Sequence, residues 1–283
     1  MQSQTCSNRN FALTAIIPVA SDLHDPTNLK KTLALAHNSS VKLILIIDLK
    51  GNQSANNFQE LLNNVCTYCV EYKVGFFKGP GNARNAAFEL VNTKWVVFWD
   101  SDDIPNPSAI IKAIESNRNS DVIIGSYLTT NFHSGITKDI VAHSKNIISV
   151  IWSPGIWRLV IKSKIITEPF PQYKMGEDQI FILKNKILNR PICFEKAVFY
   201  NYFTNVPNQL TSKKNPKTDL INVFIESLEF SSEIDYKTKL VALSFCARQF
   251  LTIQRRCTWK LKFSSWVIVF KYILGMRLSR VNN

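Results

Sequence analysis

Short, nearly unbroken apolar runs alternate with helix-period segments along the first hundred residues. Leu13 to Val19 (LTAIIPV), Lys42 to Ile47 (KLILII) and the apolar WVVFW that begins at Trp95 are too short for buried helices, and they read as strands covered on both faces. Val74 to Phe77 reads as a further short strand. Between them, Thr27 to Ala36 follows Asp25-Pro26 with the spacing of a helix. Phe58 to Val70 carries Phe58, Leu61, Leu62, Val65 and Cys69 at a helical period, and GPGNARNAAFELVN is a glycine turn opening a helix. This alternation predicts a parallel α/β sheet, whose right-handed crossovers bring Asp48, the 79–85 loop and the Asp100–Asp103 stretch to one edge.

Beyond that edge, Pro107 to Ser116 reads as a helix and Asp121 to Phe132 as a long strand, while 133–150 is loop-like. Trp152 to Ile166 (WSPGIWRLVIKSKII) is a Pro/Gly turn followed by apolar and basic residues. Gly176 permits a sharp turn into a helix that starts Glu177-Asp178, with Ile180, Phe181, Leu183, Ile187 and Leu188 on its period. Three further helices are predicted at Asp219 to Phe230, Tyr236 to Arg256 and Trp259 to Met276.

The chemistry sits where the strands end. In WVVFWDSDD, Asp100, Asp102 and Asp103 follow a buried strand directly, at the place where open α/β sheets bind ligands. Carboxylates this close repel one another unless a cation neutralises them, and a divalent metal carrying phosphate oxygens suits such a cluster. A solvated capping cluster has the same sequence appearance. Gly79, Pro80 and Gly81 let backbone approach a ligand, and Arg84 in the following helix suits a phosphate. The loop has neither the lysine of a P-loop nor the spacing of a dinucleotide fingerprint. Asp178, in the first turn of its helix, is placed to stay ionised and act as a base; a plain helix-capping pair would look alike.

Taken together, AIIPVAS, LIIDLKGN, GPGNARNAA, WDSDD, GIWRLVIKSKII and MGEDQIF, in this order, resemble family 2 glycosyltransferases, over about residues 11–212. The resemblance implies the GT-A fold, a Rossmann-like, mostly parallel sheet with helices on both faces, here followed by a C-terminal helical appendage. It implies inverting transfer of a hexose from a nucleotide-sugar, a UDP-sugar by family habit, aided by Mg2+ or Mn2+. Matched position by position, Pro18 and Ala20 lie beside the nucleotide, Asp48 contacts the base, and Gly81, Arg84 and Asn85 belong to the loop and helix that approach it. Asp100 lies near the ribose and donor sugar, Asp102 is the metal ligand of the DXD motif with Asp103 alongside, and Asp178 is the catalytic base with Glu177 beside it. The sequence departs from the family in three places. Leu49 replaces an acid, no histidine follows His143, and the segment Tyr200 to Thr211 lacks the usual arginine. QRRCTW at Gln254 to Trp259 has the wrong spacing for the QxxRW of processive synthases.

Composition narrows the rest. At 283 residues with 46% hydrophobic content the chain has enough apolar material for a core. Six scattered cysteines suit a reducing compartment, and the lone Cys66/Cys69 pair has no second pair to complete a zinc site. The first ten residues lack an apolar signal core, and no apolar run reaches the roughly 20 residues that span a bilayer. The net charge of +13 is concentrated at the end: Tyr236 to Asn283 holds ten Lys and Arg and no Asp or Glu. Trp259, Phe263, Trp266, Phe270 and Ile273 fall near one face of the last helix, flanked by Lys260, Lys262 and Lys271. This segment suits an anionic membrane surface; packing on the catalytic domain or on a second copy is the alternative. The chain therefore reads as a tail (1–10), a catalytic domain (11–212) and a basic helical region (213–283). The expected setting is cytoplasmic, peripheral to the inner face of the membrane. The expected acceptor is a glycan, a lipid-diphosphate-linked sugar as in O-antigen, lipopolysaccharide or other bacterial surface polysaccharide assembly. An acidic cleft argues against nucleic acid. The intact DSDD and Glu177-Asp178 argue against an inactive nucleotide-sugar-binding protein, and VASDLHDP is not the glycine- and lysine-rich loop of a sugar nucleotidyltransferase.

Overall fold

The computed structural model describes residues 10–21, 23, 25–49, 68, 70–140, 142, 147–207, 218–232 and 235–281. Its elements run β1 (Leu13–Ala20), α1 (Thr27–Asn38), β2 (Lys42–Asp48), β3 (Val70–Gly75), α2 (Pro80–Ala87), β4 (Trp95–Phe98), β5 (Ile104–Pro105) and α3 (Pro107–Ser116). They continue β6 (Val122–Asn131), β7 (Thr137–Ile140), α4 (Ile147–Trp152), β8 (Leu159–Lys162), α5 (Glu177–Lys184) and β9 (Ile192–Thr204). Helices α6 (Asp219–Glu229), α7 (Tyr236–Arg256) and α8 (Trp259–Val281) complete the described chain. The strands form one sheet in the order β3-β2-β1-β4-β8-β6-β9-β5, with β7 paired to β6. The first four are mutually parallel, β8 runs antiparallel between β4 and β6, and β9 lies parallel to β6.

Helices cover both faces. Leu13, Ala15, Ile17, Leu43, Leu45, Val97 and Trp99 point to one face, where Leu29 and Leu33 of α1 and Ile110 and Ile114 of α3 close over them. Ile16, Ile44, Ile46, Val96 and Phe98 point to the other, under Ala83 and Ala87 of α2 and Ile180 to Leu183 of α5. Such strands have no polar face, and that is why they read as unbroken apolar runs. Val223 of α6 and Val241, Ala242 and Phe245 of α7 join this second cluster, so the C-terminal helices share a core with the sheet.

Several elements differ from the sequence pattern. The third strand is Val70–Gly75 rather than Val74–Phe77, because parallel pairing with β2 runs from Leu43↔Val70 to Asp48↔Gly75. Val70, read as the end of a helix, therefore opens a strand. The rest of the helix expected from Phe58, and both Cys66 and Cys69, lie outside the described residues, apart from Tyr68. The 133–150 stretch, read as loop, holds β7 and the start of α4. The β6–β7 hairpin is tied by the Asn131 side chain, which accepts the N–H groups of His133 and Ser134. Helix α5 stops at Lys184, and Lys186 takes a left-handed conformation (φ 48°), so Ile187 and Leu188 lie in a separate 3-10 turn. Strand β9 extends through the start of the segment read as a closing loop from Tyr200. Its partner β6 dictates it: the ladder runs from Val122↔Ile192 to Asn131↔Thr204, with register shifts at Gly125, Ser126 and Tyr127.

Candidate active site

Parallel pairing sets the edge of the site. Pro18 lies opposite Ile46 and Ala20 opposite Asp48, so the ends of β1 and β2 are level. The Asp48 carboxylate accepts three backbone N–H groups, from Phe77 (2.7 Å), Lys78 (3.1 Å) and Gly79 (2.9 Å). Lys78 and Gly79 both have positive φ, which wraps the loop around the acid. Asp48 thus fixes the entry to α2.

Helix α2 is fastened to the segment before α5. Asn85 exchanges two hydrogen bonds with the backbone of Phe170, donating to its carbonyl at 2.9 Å and accepting its N–H at 2.8 Å. A Cβ at Gly81 would come within 3.0 Å of the Pro171 carbonyl and 3.2 Å of Phe170 Cβ, so a larger residue would push the two segments apart. The Phe170 ring stacks on Phe181 at 3.9 Å. Both Gly81 and Asn85, matched by resemblance to a nucleotide-approaching loop, make these contacts to protein.

The effect of that fastening falls on Arg84. Its side chain is 3% exposed and its two terminal nitrogens reach three acids. Nη2 lies 2.8 Å from Asp100 Oδ1, while Nη1 lies 3.2 Å from Glu177 Oε1 and 3.1 Å from Asp178 Oδ1. Sequence reading aimed this arginine at phosphate; the structure places it between the acid after β4 and the two acids opening α5. Burial opposes the guanidinium charge, but Asp178, Asp100 and Glu177 outweigh it and raise the Arg84 pKa.

The acids respond in turn. Burial and then the charge of Glu177 push Asp178 up to about 8, against the pull of Arg84, and its Oδ2 accepts the Ile156 N–H at 3.3 Å. Burial also raises Glu177, with Arg84 opposing. The helix carrying both acids starts at Gly176, whose φ of 85° favours glycine and whose Cβ would meet Val223 at 3.0 Å.

On the turn after β4, Asp102 and Asp103 diverge. Asp103 is fully buried; its Oδ1 accepts the Phe203 N–H at 2.7 Å and its carbonyl accepts the Thr32 hydroxyl at 3.1 Å. That carboxylate joins the turn to β9. Asp102 remains partly exposed, and burial followed by the Asp100 charge pushes it up to about 6. Tyr200, fully buried on β9, accepts the Asp100 N–H at 2.8 Å. Sequence reading passed over Tyr200 as a site residue, because nothing in its local pattern places β9 beside β5 and Asp100.

Among the described residues no three His, Cys, Asp or Glu side chains converge to hold a metal by themselves. The donor chemistry nevertheless fits a hard divalent cation. Asp102 offers an oxygen donor whose ionisation is resisted by burial and by a neighbouring carboxylate, and a cation that also binds phosphate oxygens would relieve both.

Residues 14–190, more than half of the chain, match Glycosyl transferase family 2. The chain belongs to that family. This glycosyltransferase has the GT-A architecture of solved relatives. S. aureus TarS 1-349 in complex with UDP-GlcNAc is 15% identical with a TM-score of 0.70, over 90% of this chain and 79% of that one. A longer S. aureus TarS structure is 18% identical with a TM-score of 0.62, over 85% of this chain and 44% of that one. The mannosyltransferase PcManGT from Pyrobaculum calidifontis, in complex with GDP-Man and Mn2+, is 10% identical with a TM-score of 0.56, over 94% of this chain and 80% of that one. At these identities the likeness is one of fold. No curated protein sequence matches the chain.

Proposed function

We propose that this glycosyltransferase transfers a hexose with inversion from a UDP-sugar to a glycan acceptor, a lipid-diphosphate-linked sugar. The observation that carries the reading is the buried Arg84 bridge, which holds Asp100 on the donor side and Asp178 on the acceptor side within one cluster. Asp178 accepts the proton of the acceptor hydroxyl as its oxygen attacks the anomeric carbon. The bond between that carbon and the diphosphate oxygen breaks, and its electron pair leaves with the nucleoside diphosphate. A single displacement inverts the anomeric centre. Asp102 would hold a divalent ion, Mn2+ or Mg2+, which when bound would supply Lewis-acid neutralisation of the leaving diphosphate. Asp100, with its N–H given to Tyr200 and its carboxylate paired to Arg84, keeps the donor side of the cleft fixed. Solved structures of similar fold that carry UDP-GlcNAc, or GDP-Man with Mn2+, support a nucleotide-sugar donor.

The acceptor reading is supported by the last two helices. On α8, Leu261, Ile268, Val269 and Tyr272 pack toward α6 and α7, while Trp259 (70%), Phe263 (57%) and Phe270 (60%) stay exposed. The helix is apolar on two sides, so packing on the protein and contact with a membrane surface are compatible. Leu240, Leu243 and Leu251 add exposed apolar side chains on α7, and no acidic residue occurs after Asp235. Among the described residues no helix is long and apolar enough to cross a membrane. A basic surface with exposed aromatic rings suits the face of an anionic bilayer, where a lipid-linked acceptor would be found.

The deciding experiment is transfer from a panel of UDP-sugars to a synthetic lipid-diphosphate-GlcNAc acceptor, with and without Mn2+. Metal-stimulated product of inverted configuration from one donor is the expected result. Binding of UDP without turnover of any donor would instead favour an inactive binding protein.

A further inference from the structure

Arg248 on α7 is a half-buried cation with no carboxylate paired to it among the described residues. Its Nε donates to the Trp152 carbonyl at 3.2 Å, the one acceptor it meets among those residues. That bond anchors the inner nitrogen and leaves the two terminal nitrogens for a ligand. Burial and then the charge of Arg256 lower its pKa, while the charge of Asp178 opposes them.

Two contacts place Arg248 near the proposed base. Helix α7 packs on both α4 and α5. Trp152 ends α4, and four residues further on the Ile156 N–H bonds Asp178 Oδ2 at 3.3 Å. Gln249, next to Arg248, is buried, and its Nε2 lies 3.3 Å from where a Cβ on Gly176 would stand, at the turn that opens α5. Adjacent positions of α7 thus touch the two segments that hold Asp178. The Asp178 side chain keeps 22% exposure, so an acceptor hydroxyl can reach it.

The surroundings select the anion. Arg248 and Arg256 repel each other on a helix that contains no acid, and a group with more than one negative charge relieves that repulsion. A guanidinium fork matches the oxygens of a phosphate. Leu251, one turn further along α7, and the indole of Trp152 are both exposed. A phosphate held by Arg248 therefore has apolar side chains facing solvent beside it, a setting that suits a phosphate carrying a lipid tail.

We infer that the terminal nitrogens of Arg248 bind a phosphate of the lipid-diphosphate-linked acceptor and so set the acceptor sugar against Asp178. The inference rests on the acceptor reading above and names the residue that recognises it. The donor and bilayer headgroups also carry phosphate, and the probes separate these sources.

The test measures binding to the full chain with UDP present, setting octyl diphosphate-GlcNAc against octyl-β-GlcNAc, which lacks the phosphates. Arg248→Gln is the main variant, because the Gln Nε2 stands where the Arg Nε does and can keep the Trp152 bond while the charge is lost. Arg248→Lys keeps the charge without the fork. The wild type is expected to favour the diphosphate probe by about tenfold or more, the scale of a charge-assisted hydrogen bond. Arg248→Gln should lose that preference while UDP affinity, melting temperature and sedimentation with phosphatidylglycerol vesicles stay near wild type. Arg248→Lys should keep part of it. Loss of UDP affinity in Arg248→Gln would assign the arginine to the donor, and loss of vesicle binding with the preference intact would assign it to headgroups; either overturns the inference. An undiminished preference in Arg248→Gln would also overturn it and leave the acceptor reading standing. Equal binding of the two probes by the wild type would overturn the acceptor reading itself, a distinct result.

Discussion

Arg84 Nη1 lies 3.1 Å from Asp178 Oδ1, and the same guanidinium holds Asp100 through its other terminal nitrogen at 2.8 Å. One buried cation thus serves acids carried by distant segments, the turn after β4 and the first turn of α5. The arrangement couples the geometry of the proposed base to that of Asp100.

Arg84→Met should leave three buried or half-buried acids without their shared counter-charge. The expected loss is about 3–5 kcal/mol of stability at neutral pH, the usual scale for breaking a buried pair from one side. The loss should shrink as the pH falls and the acids protonate. Arg84→Lys restores one charge but not the two-pronged geometry, and should fall between. Urea denaturation at pH 5 and pH 7.5 measures both; equal destabilisation by Met at the two pH values would contradict the electrostatic account.

Asp178→Asn should lower kcat by roughly a hundredfold or more with little change in donor KM. The same variant should be more stable than wild type at high pH. The folded-state pKa of Asp178 is raised from 3.8 to about 8, so the native state holds this proton more tightly than the unfolded chain. That contribution to wild-type stability is complete below about pH 4 and is lost as pH rises through 8. Thermal melts at pH 5 and pH 9 should therefore show Asp178→Asn gaining on the wild type as pH rises. A difference in melting temperature that is the same at both pH values would contradict the raised pKa.

The pH profile of kcat/KM follows from the same group. Because Asp178 must be ionised to accept a proton, the ligand-free enzyme should gain activity as pH rises toward about 8 and level off above it. A profile flat from pH 6 to pH 9 in non-sticky substrate conditions would remove Asp178 as the titrating base.

Asp102 and Asp103 should fail differently. Asp103→Ala removes the acceptor of the buried Phe203 N–H and should cost about 1–3 kcal/mol of stability. Asp102→Ala should leave the melting temperature near wild type and abolish stimulation by Mn2+. Metal titration of activity alongside a thermal melt separates the two; matching losses in both variants would count against the division of roles.

Replacing Trp259, Phe263 and Phe270 together by serine should abolish co-sedimentation with phosphatidylglycerol vesicles without lowering the melting temperature, because all three side chains are more than half exposed. Binding of the wild type should weaken with salt and be poor on zwitterionic vesicles. Strong binding of the triple variant would locate the contact elsewhere.

The sheet edge and its acids follow from local sequence alone. Leu13–Ala20, Lys42–Asp48 and Trp95–Phe98 are buried on both faces, so each must be a continuous apolar run, and the first polar residue after it marks where the strand leaves the core. Helices with clear caps or periods, such as Pro107–Ser116 and Tyr236–Arg256, were legible for the same local reason. What each acid and base touches is settled instead by packing between distant segments. Strand β9 is specified by its ladder to β6 rather than by its own alternation, so neither Tyr200 beneath Asp100 nor Phe203 against Asp103 could be read in advance. Arg84 looked like a phosphate ligand because a lone arginine after a glycine turn has free donors; its three carboxylates arrive from distant segments. Arg158 in GIWRLVIK reads as an ordinary solvated residue beside a strand, and its burial is a property of the packed molecule alone.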